Sequence, residues 1–69
     1  MWTADDWDIL RLKMMVFSTW NLQSRRDAVG AIASYGKPAL PALTEIATWT
    51  WNEEFRAYVL DKIKQINNK

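Results

Sequence analysis

Residues 24–43 read SRRDAVGAIASYGKPALPAL, and this stretch decides the predicted fold. Ser24 with Asp27 three residues later is typical of a helix start, because the two side chains can satisfy backbone amides of the first turn. Gly36 is expected to end that helix, since a residue without a Cβ adopts a positive φ without a clash. The two prolines that follow donate no backbone hydrogen bond, so they belong near the first turn of a second helix, which we expect to be loose.

Helix signals continue on both sides of this stretch. Thr3 followed by Asp6 predicts an earlier helix start, and Asn52 is a suitable N-cap for a last helix. The predicted helices cover about residues 4–18 or 19, 25–35, 39–49 and 53–66. No segment alternates apolar and polar residues with a period of two, so strands are not expected. The sequence therefore predicts an all-α fold.

Composition excludes several classes of function. The 69 residues are enough for one domain, taken as 1–69, and they include no cysteine and no histidine. Thiolate metal sites are thereby excluded, and the commonest metal ligand and general base are missing. Nine basic and eight acidic residues give no net field for nucleic acid or an anionic membrane. We expect no enzyme, no catalytic, cofactor or metal site, no small-molecule substrate and no membrane partner; the acidic start and short apolar runs predict a cytoplasmic location.

The chain contains an internal repeat with a period of 31 residues. Residues 19–21 (TWN) fall on residues 50–52 (TWN) when the sequence is shifted by that period, and the flanking helices match without a slip. A period near 30 with two helices in each unit is typical of stacked helical repeats. We therefore expect two stacked antiparallel helical hairpins, unit one over about residues 4–36 and unit two over about 37–67.

The repeat separates residues that the fold needs from those it does not. Trp20 and Trp51, one in each repeated triplet, are expected to plug the ends of the hairpins, and the matched Arg25 and Arg56 are expected to be structural. Apolar pairs that match between the units are predicted to form the shared core: Ile9/Leu40, Leu12/Leu43, Met15/Ile46, Val16/Ala47, Ala28/Val59, Ile32/Ile63 and Tyr35/Ile66.

The pattern Arg25…Ala28…Ala31-Ile32…Tyr35-Gly36, followed by PALPAL over residues 38–43, resembles the HEAT-repeat family of armadillo-like α-solenoids, in its short bacterial variety. This resemblance implies a scaffold that binds other proteins, and it implies that the matched arginines tie neighbouring units together. The chain departs from the family in two respects. It holds two units where HEAT proteins usually stack many, and its first unit lacks the proline-bearing opening helix.

One apolar stripe is not explained by the repeat. The first helix carries Trp7, Leu10, Met14 and Phe17 on the side opposite its predicted core face, and their counterparts in unit two are Pro38, Pro41, Glu45 and Thr48. A helix that is apolar on both sides is normally covered on both sides. Three explanations stay open: the stripe completes the core with Trp2 folded over it, it binds a partner or a second copy, or its covering segment is missing. Trp49 is a second candidate contact residue.

The sequence favours a small non-enzymatic protein–protein interaction module. In this hypothesis a protein partner, or a second copy in a homo-oligomer, binds the stripe together with Trp49. The alternative is an accessory protein that binds nucleic acid through basic residues of the first two helices, which is not expected from the balanced charge. Those basic residues are Arg11, Lys13, Arg25 and Arg26.

Overall fold

A computed structural model describes residues 3–68 of the chain, and within that range it contains helices and no strand. The four α-helices are α1 (Ala4–Ser18), α2 (Leu22–Ala33), α3 (Leu40–Trp49) and α4 (Glu53–Asn67). Helix α1 packs against α2 and helix α3 against α4, while α1 and α2 of the first hairpin contact α3 and α4 of the second. The predicted all-α fold of two stacked hairpins is confirmed.

The predicted start of α1 at Thr3 and the predicted stop after α2 at Gly36 are both confirmed. Thr3 and Asp6 form a capping box, in which the Thr3 hydroxyl accepts from the Asp6 amide at 3.2 Å and the Asp6 carboxylate accepts from the Thr3 amide at 2.9 Å. Gly36 follows α2 with a φ of +78°, a backbone conformation that favours glycine. The loose first turn expected around Pro38 is a 3-10 turn over Lys37–Ala39, after which α3 begins.

The predicted start of α2 is wrong by three residues. Ser24 does not cap the helix; Asn21 does, because its Oδ1 accepts from the Ser24 amide at 3.0 Å. Asn52 caps α4 in the same way, accepting from the Phe55 amide at 2.9 Å. Asparagine is at least as good an N-cap as serine. The asparagine of the repeated triplet therefore caps the second helix of each unit.

The matched arginines are structural, but they act within a unit rather than between units. Arg25 donates from Nε to the carbonyl of Thr19 at 2.7 Å. Arg56 donates from Nε to the carbonyl of Ala47 at 3.1 Å, and one of its terminal nitrogens donates to the carbonyl of Thr50. Each arginine thereby satisfies carbonyls at the C-terminal end of the preceding helix, which would otherwise lack partners. The inter-unit role implied by the family resemblance is not what the structure shows.

The core is one cluster that draws on all four helices. It comprises Ile9, Val16, Ala28, Val29, Ile32, Ala39, Ala42, Leu43, Ile46, Ala47, Phe55, Val59 and Ile66. Most predicted core pairs lie in this cluster or pack against it. Met15 is the exception, since it is 50 % exposed while its counterpart Ile46 is fully buried. Val29 is fully buried although the repeat comparison did not select it.

The stacking of two units explains which copy of a position is buried. Ile46 and Phe55 of unit two are buried, whereas their unit-one counterparts Met15 and Ser24 are exposed. No helix among residues 3–68 covers that side of unit one, while unit one itself covers the same side of unit two. On the opposite side of the units the buried copy is the one in unit one. Val29 is buried there, and its unit-two counterpart Leu60 is half exposed.

The predicted role of Trp20 and Trp51 is wrong. These side chains are 92 % and 95 % exposed, so neither plugs the end of a hairpin. The turns that carry them are held by the asparagine caps and by the arginine–carbonyl hydrogen bonds. Because those polar contacts close each turn, the two indole side chains are not needed to fill it, and they project into solvent.

Candidate functional site

The apolar stripe of α1 lies on the surface of the described molecule. Trp7 and Met14 are each 61 % exposed, Phe17 is 46 % exposed and Leu10 is half-buried. We call these four residues the α1 face. Large apolar side chains scattered singly on a surface are ordinary, but a contiguous row of them is a mark of an interaction site.

The α1 face lies on the outer side of the stack, and the matched positions of unit two lie on that side as well. Its counterparts in the 3-10 turn and α3 of unit two are all exposed: Pro38, Pro41, Glu45 and Thr48. The contact between the two units leaves Trp7, Met14 and Phe17 exposed, and only Leu10, beside the start of α3, is half-buried. Stacking of the two units therefore leaves most of the α1 face uncovered, and the packing of residues 3–68 does not require its apolar character.

Residues 3–68 alone do not place the α1 face in the core. The side chains that fill the interior come from the opposite side of α1, namely Ile9 and Val16. The suggested cover, Trp2, lies outside the described residues. An interaction role for the α1 face stays a prediction.

Trp49 is exposed, as predicted, and it lies with the repeated tryptophans around a groove that we call the end groove. This groove has a volume of about 510 Å³ and lies at the end of the molecule where α1 and α3 terminate. Its lining residues are Val16, Phe17, Trp20, Leu22, Arg25, Ile46, Trp49, Thr50, Trp51, Asn52 and Phe55. Phe17 belongs both to the end groove and to the α1 face, so the two surfaces adjoin.

Sequence reasoning placed Trp20 and Trp51 at the hairpin turns but did not recognise them as parts of a site. The signal was present in the repeat itself. Two units that stack in register carry their matched turns to the same end of the molecule, so the two copies of the triplet TWN must become neighbours. Exposed aromatic side chains at neighbouring turns then form the walls of a groove.

Arg25 supplies the charge at the end groove. It is the charged residue among those that line the groove, and its guanidinium lies 6.0 Å from the centre of the Trp20 ring. A cation at that distance from an indole face is attracted by the ring quadrupole. The end groove is thus an aromatic surface with one cationic wall.

A second, smaller cavity of about 200 Å³ lies between α1 and the start of α3, beside Leu10. Lys13 and Glu45 border it and form an ion pair with an N–O distance of 2.8 Å. This pair joins the two units across the outer side of the stack. Because both partners are partly exposed, its contribution to stability is small.

The basic residues of the nucleic-acid hypothesis are not brought together as a free patch. Arg11 pairs with Asp8 at 3.3 Å, Lys13 pairs with Glu45, and Arg25 donates to a backbone carbonyl. Phosphate binding needs a local excess of positive charge. The hypothesis stays a prediction without a specific structural feature in its favour.

Tyr35 links the end of the first hairpin to its beginning. Its hydroxyl donates to the carboxylate of Asp8 at 2.8 Å. That hydrogen bond, with partial desolvation and the negative charge of Asp8, raises the pKa of Tyr35 above the ordinary value of 10.0. This half-buried phenol packs against the core at the end of α2, and its hydrogen bond to Asp8 ties α2 to α1.

Two further findings concern residues 3–68. No group of acidic side chains there is placed to hold a metal ion. None of the four helices combines the length and apolar character needed to cross a bilayer.

Comparison with known proteins gives no independent assignment. The chain matches no protein-family model, no curated protein and no solved structure. The resemblance to HEAT repeats remains an expectation from the sequence pattern. Function must accordingly be argued from the two adjoining surfaces described above.

Proposed function

We propose that this chain is a small, non-enzymatic protein–protein interaction module that binds a partner, or associates with itself, through the α1 face and Trp49. The proposal includes a HEAT-like scaffold of bacterial type that works in the cytoplasm without a cofactor. It concerns the outer side of the first hairpin, where Trp7, Met14 and Phe17 are exposed together.

One observation carries the proposal. Three of the four positions of the α1 face are exposed in unit one and all four matched positions are exposed in unit two, but they are apolar in unit one and polar or proline in unit two. The same scaffold position therefore folds with either kind of residue. An exposed apolar row that folding does not require is best accounted for by a contact with another molecule.

The composition of the α1 face favours a helical partner. Met14 is flexible and polarisable, so it adapts to irregular surfaces, and the aromatic residues on either side supply large contact areas. An amphipathic helix would lay its own apolar side along this row, which spans about 15 Å from Trp7 to Phe17 at 1.5 Å per residue.

Site-specific photo-cross-linking tests the proposal. A photoreactive amino acid replaces Met14 in the full chain expressed in its native cells, and a matched variant carries the same amino acid at Leu60. Leu60 is the suitable control because it is an exposed apolar residue of α4 that lines neither cavity. The proposal predicts a discrete adduct from position 14, either with a second copy or with one other protein, and none from position 60. The absence of an adduct at position 14, or equal adducts at both positions, would contradict it.

A further inference from the structure

The end groove has features that the proposed function does not use. Trp20 and Trp51 are almost fully exposed and stand at matched turns, with Trp49 beside them. Its volume of about 510 Å³ falls in the range of sites that enclose a ligand or a protruding side chain. Aromatic pockets of this kind receive the anchor residues that dominate protein interfaces.

The charge of the end groove selects an anionic occupant. Arg25 is its charged lining residue, and in the described part of the chain it makes one hydrogen bond, whereas its counterpart Arg56 makes two. The N-terminus of α2 also lies here, and its first turn holds no acidic residue, unlike the first turns of α1 and α4. The positive end of the α2 dipole is therefore not neutralised by its own sequence.

A polar group at the groove also lacks a partner. Thr50 is 8 % exposed and lines the end groove, and its hydroxyl has no hydrogen-bond partner among residues 3–68. Buried polar atoms are nearly always paired, so this hydroxyl leaves the wall of the end groove incompletely satisfied within residues 3–68.

The chain itself carries a segment with the required chemistry. At the N-terminal end of α1, Trp7 is exposed between Asp5 and Asp8, with Asp6 in the first turn. We call residues 5–8 the acidic knob. It lies about ten residues, or about 15 Å, along α1 from Phe17 of the end groove, so a molecule cannot place its own knob in its own groove.

We propose that the end groove of one copy binds the acidic knob of a second copy, with Trp7 between the tryptophans and the exposed Asp5 facing Arg25. Asp6 and Asp8 add negative charge to the knob, although each is already hydrogen-bonded within its own chain. The contact shares Trp7, Phe17 and Trp49 with the surface of the proposed function. It goes beyond that function because it names the occupant of the end groove and does not use Met14. It is a heterologous, head-to-tail contact, since the two surfaces that meet are different. Such a contact leaves one free knob and one free groove in every dimer, so the assembly grows with concentration.

The test mixes two variants that each lack one half of the contact. Trp51→Ala removes a groove wall whose side chain is 95 % exposed, and Trp7→Ala removes the knob. Asp5→Lys is a second knob variant, at an exposed first-turn position, and Leu60→Ala is the control. Circular dichroism verifies that each variant is folded, and analytical ultracentrifugation gives the mass.

The expected result is specific to head-to-tail binding. The wild type and Leu60→Ala increase in mass with concentration beyond a dimer, and added salt weakens the association because the knob and groove are oppositely charged. Each groove or knob variant alone associates about tenfold or more weakly, as when an aromatic anchor is truncated. An equimolar mixture of Trp51→Ala with Trp7→Ala forms a species of twice the 8.1 kDa chain mass that does not grow further.

Two results would overturn the contact. A wild type that stays monomeric at every concentration excludes it, and the cross-linking experiment at position 14 then judges the proposed function separately. A wild type that associates while the mixture of variants does not form a dimer also excludes it. In that second case, a monomeric Met14→Glu variant would assign self-association to the α1 face instead.

Discussion

Unit one and unit two share their turn chemistry and differ on their outer side. In both units the triplet TWN follows the first helix, an asparagine caps the second helix, and an arginine donates to a threonine carbonyl of the turn. The outer side carries Trp7, Leu10, Met14 and Phe17 in unit one, and the matched positions of unit two hold Pro38, Pro41, Glu45 and Thr48. What recurs builds the hairpin, and what occurs once points to function.

A second difference between the units comes from their places in the stack. Phe55 of α4 is buried against unit one, and its counterpart Ser24 lies at an exposed end of the molecule. A polar residue at that end is what a stacked array needs where no further helix packs. Differences of this kind belong to folding, and they must be separated from the outer-side difference before any site is inferred.

The largest difference in stability is expected between substitutions of Phe55 and of its counterpart Ser24. Phe55→Ala should lower the free energy of unfolding by about 3–5 kcal/mol, because a buried aromatic is replaced by a cavity. Ser24→Ala, at the matched position, should change it by less than about 0.5 kcal/mol. Urea unfolding followed by circular dichroism measures both. Similar losses for the two variants would mean that the units are covered alike, against the burial seen here.

At the opposite end of the stack the sensitive residue belongs to unit one, and the expected loss of stability is smaller. Val29→Ala should destabilise by about 2 kcal/mol, since Val29 is fully buried between the hairpins. Leu60→Ala, its counterpart, should have little effect despite removing more atoms. Thermal unfolding of the two variants ranks them directly, and a greater loss for Leu60→Ala would contradict the proposed end effect.

The shared turns predict equal effects in the two units. Asn21→Ala and Asn52→Ala each remove the side-chain acceptor of an N-cap, so each should cost about 1 kcal/mol of stability. Matched Asn→Asp variants should retain most of it, because aspartate also caps. Urea unfolding of the four variants measures this symmetry; a loss confined to one unit would show that the turns are not equivalent.

The smallest predicted effect is on the pH dependence of stability, and it arises from a residue that ionises in unit one but not in unit two. Tyr35 donates to Asp8, whereas its counterpart Ile66 cannot ionise. Because the fold raises the pKa of Tyr35 above 10.0, the stability that its protonated form contributes is complete below pH 10.0 and is lost as pH rises through the raised pKa. Thermal melts of the wild type should therefore fall slightly more steeply in that alkaline range than those of Tyr35→Phe. Identical pH dependence in the two proteins would contradict this assignment.

Local signals in the sequence were sufficient for the fold and for part of the site. The capping box of Thr3, the glycine stop at Gly36 and the 31-residue period together predicted the four helices and their pairing. The α1 face was found because its residues contradict the repeat. Trp49 was found because it lies off the apolar side of its helix.

Other features depended on contacts that a period does not encode. Met15 and Ile46 match in sequence, yet one is exposed because only unit two has a neighbour on that side within residues 3–68. The outward position of Trp20 and Trp51 depends on which polar groups close the turn. The sequence pattern predicted Ser24 as the cap of α2, and only the hydrogen bonds of the folded turn identify Asn21 as the cap.

The central claim is that the α1 face is a surface that folding does not require, and one substitution tests it most directly. Met14→Glu gives unit one the residue that unit two already carries at Glu45. Urea unfolding should show a change in the free energy of unfolding of less than about 0.5 kcal/mol relative to the wild type. Ile46→Glu, which places a charge in the core, should abolish folding in the same experiment. A loss of more than about 2 kcal/mol in Met14→Glu would mean that the α1 face is part of the core, and it would contradict the account.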